Sequence, residues 1–117
     1  MSALPKIDPS IQPYGVEIAI ADDIFIKQMH CPKADTIIPQ HSHSYDHISM
    51  LAVGSVDVWR DGVYWRAFSA PCAIEIKAGI KHAFRTNVDN TIIYCIHNIS
   101  RTGEIEVAEE HHLIEEK

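Results

Sequence analysis

Basic side chains are scarce in this chain: 10 Lys and Arg stand against 16 Asp and Glu, a formal net charge of -6. Phosphate binding needs a basic surface, so this balance argues against nucleic acid or an anionic membrane as the main partner. No apolar run approaches the roughly 20 residues of a transmembrane helix, and residues 1–10 lack the charged-then-apolar order of a signal peptide. We therefore expect a cytoplasmic protein.

Cysteine is also sparse. Cys31, Cys72 and Cys95 are odd in number and form no C-x-x-C pair, which argues against a disulfide framework or a thiolate zinc site. Internal repeats, low-complexity segments and long linkers are missing, and 117 residues suit one domain. No helix-turn-helix-like segment is present, so we do not expect a one-chain transcription regulator.

The chain does carry a strong β-strand pattern from residue 16 onward. Strands are predicted over residues 16–21, 24–29, 36–53 (with a bend at Pro39), 73–77, 82–86 and 91–99. Many short strands with frequent turn signals predict an all-β sandwich or small barrel. Three domain segments are expected: a proline-rich extended arm over residues 1–15, the β domain over 16–102, and an acidic tail over 103–117 that could hold a short helix.

A hairpin is predicted around Asp61-Gly62, a two-residue type I′ turn signal. Counting outward from this turn predicts four cross-strand pairs: Trp59 with Tyr64, Val58 with Trp65, Asp57 with Arg66, and Val56 with Ala67. These combine apolar, aromatic and opposite-charge partners, which all favour pairing.

Histidines carry the strongest functional signal. His41, His43 and His47 share one face if the predicted strand is regular, and His82 on another strand could close a metal site. Imidazole suits zinc, iron, nickel and copper. A tetrahedral zinc would be closed and structural, whereas an octahedral ion would keep two open positions. His97 lies on the last predicted strand and could support the site or simply be buried.

From residue 35 to residue 87 the sequence resembles the cupin superfamily. The first cupin motif is matched by His41-x-His43, His47 and Gly54, and the second by Gly79-x-x-His82 with Asn87 close behind. His47 departs from the pattern because it stands where cupins usually have a glutamate. The glycines that open the two motifs are replaced by Asp35 and Pro71, and a proline by Lys77.

This resemblance implies a cupin-type jelly-roll β-barrel with a metal inside. The ligands it implies are His41, His43, His47 and His82, which hold one divalent transition metal of iron, manganese, nickel, zinc or copper. It also implies a homodimer, for which the protection of exposed strand edges supplies a physical motive.

Parity along the predicted strands suggests the pocket lining. Tyr45 and Ser49 follow the histidines, Phe84 follows His82, and the inner hairpin face offers Val58 and Trp65. A mostly apolar pocket with few polar groups is typical of sites for small molecules. We expect a modest organic substrate rather than a heavily charged one.

Three functions fit these features. The first is a metal-dependent oxidoreductase, dioxygenase-like, because a neutral four-histidine set leaves a divalent ion with its full charge and open positions. The second is a zinc-type lyase, cyclase or isomerase. The third is a non-catalytic binding module. The catalytic residues are not identified at this stage, because no convincing acid–base pair stands out.

Overall fold

The computed structural model describes residues 15–38 and 46–98, which form nine β-strands and no helix. The strands are β1 (Gly15–Ala21), β2 (Ile24–Cys31), β3 (Ile37–Ile38), β4 (His47–Val53), β5 (Ser55–Arg60), β6 (Val63–Ser69), β7 (Cys72–Ile76), β8 (His82–Thr86) and β9 (Thr91–Asn98). Within these ranges no helix could cross a membrane. The predicted arm lies outside the described residues except for Gly15, and the predicted tail over 103–117 lies outside them altogether.

The strands form two antiparallel sheets. Sheet A has the order β1-β2-β9-β4-β7, and sheet B the order β3-β8-β5-β6. Burial alternates along β2 and β9, as it does when one face of a strand packs on a core. The inner side chains of both sheets meet in one core: Met29, Cys31, Ile38, Leu51, Val56, Val58, Ile74, Ile76, Phe84, Ile93 and Cys95. This two-sheet arrangement confirms the predicted all-β jelly roll.

The single bent strand predicted over residues 36–53 is wrong. Its first part, β3, pairs with β8 in sheet B, whereas its last part, β4, pairs with β7 and β9 in sheet A. Pro39 has no backbone N–H to continue a ladder, which favours a break. The shared face inferred for the early histidines therefore does not follow from one regular strand.

The hairpin turn is confirmed, but only one of the four predicted cross-strand pairs is. Asp61 and Gly62 have φ values of 52° and 81°, as a type I′ turn requires. Trp59 pairs with Tyr64 as predicted, and then the register shifts by one residue between Val58 and Trp59.

Beyond this bulge the other three predicted pairs are wrong. Val58 lies opposite Arg66 rather than Trp65, Asp57 opposite Ala67, and Val56 opposite Phe68. The extra residue belongs to β6, because the pairing of β5 with β8 runs without a shift. With this register Trp65 and Phe68 both pack against the core, and their ring centroids lie 5.2 Å apart.

A polar network covers the outer face of sheet B. Asp57 accepts hydrogen bonds from Tyr64 Oη (3.0 Å) and Arg85 Nη2 (2.9 Å). The Arg85 guanidinium lies 5.4 Å from the ring centre of Trp59, which contacts Tyr64 edge-on. These contacts tie β5, β6 and β8 together behind His82, and they place Arg85 on the face opposite that histidine.

A close approach joins the two sheets at Gly54, between β4 and β5. Gly54 has φ +98°, and a Cβ added there would lie 2.8 Å from the Thr91 Cα. Its carbonyl accepts a hydrogen bond from Ala70 N (2.9 Å). Only glycine combines this backbone conformation with this contact.

Candidate metal centre

Two of the predicted metal ligands face each other across the barrel. His47 begins β4 in sheet A, and His82 begins β8 in sheet B. Their residues are 5% and 3% exposed, and their ring centroids lie 5.2 Å apart at an interplanar angle of 47°. Two residues distant in sequence thus meet inside the protein because the two sheets close on each other.

The separation of these rings fits shared coordination of one ion. With a metal–nitrogen bond of about 2.1 Å, an imidazole centroid lies about 3.2 Å from the metal. Two such rings at angles of about 90–110° have centroids about 4.5–5.2 Å apart. The observed 5.2 Å falls inside this range. The donor chemistry fits as well, since two buried imidazoles suit a divalent transition metal.

Backbone turns hold both histidines in place. His82 Nδ1 lies 3.4 Å from the carbonyl oxygen of Ile80, at the long end for a hydrogen bond. A proton on Nδ1 would leave the Nε2 lone pair for a metal, a pattern usual for metal-bound histidines. On the other sheet, Asp46 Oδ1 accepts a hydrogen bond from Ala78 N (2.7 Å) just before His47. This bond ties the start of β4 to the chain after β7.

The remaining predicted ligands, His41 and His43, lie outside the described residues, as does Tyr45. Within residues 15–38 and 46–98, no group of three or more His, Cys, Asp or Glu side chains is placed to hold a metal ion. The four-histidine set therefore stays a prediction, of which the described residues contain one facing pair.

A third histidine borders this pair. His97, on β9, is 9% exposed and lies edge-on to His47 with ring centroids 6.4 Å apart. This is longer than the range for neighbouring ligands of one ion, so His97 supports His47 laterally in this geometry. Phe25 stacks on His97 at 4.8 Å. Burial lowers the pKa of His97 to about 4, so its ring is neutral at neutral pH.

The other predicted pocket residues also lie on the inner side. Phe84 is fully buried beside His82, with ring centroids 5.7 Å apart. Ser49 is fully buried, and its Oγ lies 3.7 Å from Cys95 Sγ. Val58 is part of the core, and Trp65 packs against it while half-buried. Their role in binding stays a prediction.

Sequence reasoning missed two inner residues, Phe25 and Lys27. Both alternate with Met29 and Cys31 along β2, and all four are buried. A period-two reading of this strand would have placed Lys27 on the apolar face. A similar alternation on β7 puts Glu75 outward between Ile74 and Ile76.

The interior is mostly apolar, and its buried polar side chains include Lys27 and Ser49 on sheet A. Burial raises the pKa of Cys95, partly offset by the hydrogen bond with Ser49 and the charge of Lys27. Burial also raises the pKa of Cys31 to about 12. Both cysteines are thus neutral thiols at neutral pH rather than thiolate ligands or nucleophiles.

Comparison with known proteins identifies the fold. No protein-family model and no curated protein matches the sequence. Solved structures do match, among them a Klebsiella pneumoniae protein with a double-stranded β-helix domain (TM-score 0.66, 15% identity). A cupin 2 domain-containing protein from Halorhodospira halophila (TM-score 0.63, 12% identity) and the DMSP lyase DddQ from Ruegeria pomeroyi (TM-score 0.63, 16% identity) match as well.

The alignments cover most of this chain: 83%, 74% and 83% respectively. In the same order, they span 86%, 64% and 51% of the other chains. The chain is a small domain with the cupin double-stranded β-helix fold. Identities this low show the fold and not the activity.

Proposed function

We propose that this chain is a metal-binding cupin that acts on a small organic substrate as a dioxygenase-like oxidoreductase. One divalent transition metal is held by His47 and His82 together with His41 and His43, the last two on the strength of the sequence motif. The observation that carries the proposal is the buried pair of facing imidazoles, His47 and His82, with centroids 5.2 Å apart.

The residues around the pair have complementary tasks in this proposal. His47 and His82 hold the ion, and His97, stacked on Phe25, steadies the ring of His47. Phe84 and the core residues around it keep water from the reacting atoms. When bound to uncharged imidazoles, the metal supplies Lewis acidity and, if it is redox-active, electron exchange with dioxygen.

A zinc-type lyase, cyclase or isomerase is the second candidate. One observation favours it, the fold similarity to the DMSP lyase. The neutral ligand set proposed here suits a redox-inert Lewis acid as well as a redox-active ion. A non-catalytic small-molecule-binding cupin is the third.

Elemental analysis of protein purified without a histidine tag tests the metal, and oxygen uptake with a panel of enols and catechols tests the reaction. We expect about one iron, manganese, nickel or copper per chain and oxygen consumption that His47→Ala abolishes. Zinc alone, with no uptake after iron or manganese reconstitution, would refute the oxidoreductase in favour of the second or third candidate. Protein that binds no transition metal would refute the metal centre itself.

We also propose that a second copy of the chain covers the outer face of sheet A. Cross-strand register places Ile26, Ile96 and Ile48 side by side there, and Ile48 and Met50 are 44% and 39% exposed. Five strands have four spacings of about 4.8 Å, so strands about 24 Å long give a flat area of about 460 Å². This is of the same order as the roughly 800 Å² that each partner buries in a standard interface.

Self-association suits the charge pattern of this face. Ile26, Ile96 and Ile48 lie on the central strands, beside a pair in which Tyr94 Oη donates a hydrogen bond to Gln28 (2.7 Å). Glu17 and Glu75 lie on the outer strands β1 and β7. An apolar centre with charges at the rim is usual for protein interfaces. Two equal faces of this kind can pair about a two-fold axis.

A further inference from the structure

The inner face of sheet A continues onto β1 as an uncovered apolar row. Strand register sets three residues of β1 beside the buried inward residues of β2: Val16, Ile18 and Ile20. Val16 and Ile20 are nevertheless 44% and 51% exposed, and Ile18 is only half-buried. The core takes in Met29 and Cys31 of β2 but no residue of β1. Sheet A is thus one strand wider than the core that it covers.

The same strand has an open edge. β1 is the first strand of sheet A, and within residues 15–38 and 46–98 only β2 pairs with it. The free edge of such a strand carries N–H and C=O groups that are ready to pair, and proteins usually cover or block it. An apolar face and an open edge on one strand can both be covered by one further strand.

The chain after β9 begins close to this edge. Asn98 pairs with Ile24, and Ile24 pairs with Ala21, so the last residues of β9 and β1 lie in one row. The position beyond β1 is three strand spacings from β9, or about 14 Å. Residues 99–103 can span about 17 Å when extended. A chain that turns back there runs antiparallel to β1, because β1 and β9 are both antiparallel to β2.

The next residues match the inner row of β1. Over residues 104–108 acidic and apolar side chains alternate, as they do along a half-buried strand. One antiparallel register places Ile105 opposite Ile20 and Val107 opposite Ile18. Apolar partners directly opposite each other stabilise a pair of strands.

The outer side of this register is also compatible. It sets Glu104 and Glu106 opposite alanines of β1, and it sets Ala108 opposite Glu17. Like charges directly opposite each other would destabilise the pairing. No acidic residue of this segment directly faces Glu17 in this register.

The residues before β1 are a poorer match for its edge. Residues 1–14 contain Pro5, Pro9 and Pro13, and only three residues separate consecutive prolines. Proline has no backbone N–H to donate to a ladder. A continuous strand is therefore disfavoured over this arm.

We propose that residues 104–108 pair with β1 as a sixth strand of sheet A and cover its inner apolar row. This strand closes the edge to which a second copy of the chain could otherwise add. It leaves the outer face of the central strands free for the proposed dimer. The metal centre and its reaction play no part in this pairing.

Protein NMR on the full chain tests the pairing directly. We expect NOEs between the side chains of Ile105 and Ile20 and between those of Val107 and Ile18. We also expect slow hydrogen exchange at the alternate amides of β1 that point away from β2, because a paired edge protects them from water. The amides of β9, an interior strand, serve as the internal reference.

A double variant and a matched control measure the contribution of the apolar pairs. Ile105→Ser with Val107→Ser should lower the protection of those β1 amides about tenfold. The control, Leu113→Ser with Ile114→Ser, makes the same kind of change outside the proposed strand and should leave the protection unchanged. Both pairs of substitutions lie outside the barrel core, so we expect β9 to keep its own protection.

Each alternative gives a different result. Absence of both NOEs, helical NOEs over residues 104–108, or an undiminished protection in the first double variant would overturn the proposal. Protection that rises with protein concentration would assign the edge to a second copy instead. Protection that is lost in Ile7→Ser with Ile11→Ser, but not in Ile105→Ser with Val107→Ser, would assign it to the arm.

Discussion

Replacing His47 with alanine should remove most of the stabilisation expected from the proposed metal. The ring centroids of His47 and His82 lie 5.2 Å apart. His47 is the first residue of β4, which faces the strand that carries His82. Structural zinc sites with four ligands contribute roughly 10–16 kcal/mol of apparent binding energy, so one ligand accounts for about 3 kcal/mol. The affinity should therefore fall about a hundredfold.

This loss can be converted into a melting temperature. At a metal concentration of 100 times Kd, binding stabilises the wild type by about 2.7 kcal/mol, but at a hundredfold weaker Kd by only about 0.4 kcal/mol. For a domain of this size, 1 kcal/mol corresponds to about 4 °C. The metal-induced increase in Tm should thus be about 9 °C smaller in His47→Ala than in the wild type.

Thermal denaturation with and without added metal measures this increment, and any change in the metal-free stability cancels in the difference. The matched control is His30→Ala, since His30 faces outward on β2 and contacts Asn90 at 3.4 Å. It should keep the full increment. An undiminished increment in His47→Ala, or an equal loss in His30→Ala, would refute the placement of the metal between His47 and His82.

Three further predictions concern the fold and its surfaces. Gly54→Ala should lower the free energy of unfolding, measured in urea, by about 2–4 kcal/mol because the new Cβ meets Thr91. The control Gly62→Ala, which has open space around it at φ +81°, should lower it by only about 1 kcal/mol. Equal losses in the two variants would contradict the steric argument. In metal-free protein, His97 has a pKa of about 4 and an ordinary unfolded value near 6.5, so the unfolded state binds more protons between these values and stability falls as pH drops through this window. His97→Phe should remove about 2–3 kcal/mol of that loss, measured as unfolding free energy at pH 7 and pH 4.5, and an unchanged pH profile would contradict it. Ile48→Arg should convert the proposed dimer into a monomer in sedimentation equilibrium. The control Val63→Arg, at a 62% exposed position on the hairpin, should leave the dimer intact. A dimer that survives Ile48→Arg would place the interface elsewhere, such as the edge strand β1.

Local signals predicted the fold well where neighbouring residues alone determine the structure. The Asp61-Gly62 turn needs two residues with positive φ, and these residue types supply it. The register shift after Trp59 was not predictable in this way. It depends on how Trp65 and Phe68 both reach the core, which is a property of packing between sheets and not of the hairpin.

The candidate site was predictable from residue type more than from strand geometry. His47 and His82 meet as expected, although the parity argument assumed one strand where the chain forms β3 and β4 in different sheets. Parity did hold within single strands, as in β8, where His82 and Phe84 both face inward and Arg85 faces out. The inward position of Lys27 was not predictable from its residue type, because lysine side chains usually lie in solvent, although its neighbours on that face of β2 are apolar.

The bulge beside Trp59 also bears on how the hairpin tolerates changes in length. β5 is held on both sides, by β8 without a register shift and by β6 with one. β6 is an edge strand of sheet B, so its residues can slide by one position while β5 stays fixed. Insertions on the β6 side of the turn, after Gly62, should therefore be absorbed at the rim of sheet B. Loop grafts at this turn should keep Asp61 in place, because Asp61 N donates a hydrogen bond to Lys81 O (2.6 Å) and Asp61 Oδ1 accepts one from Lys81 N (3.0 Å), next to His82 on β8.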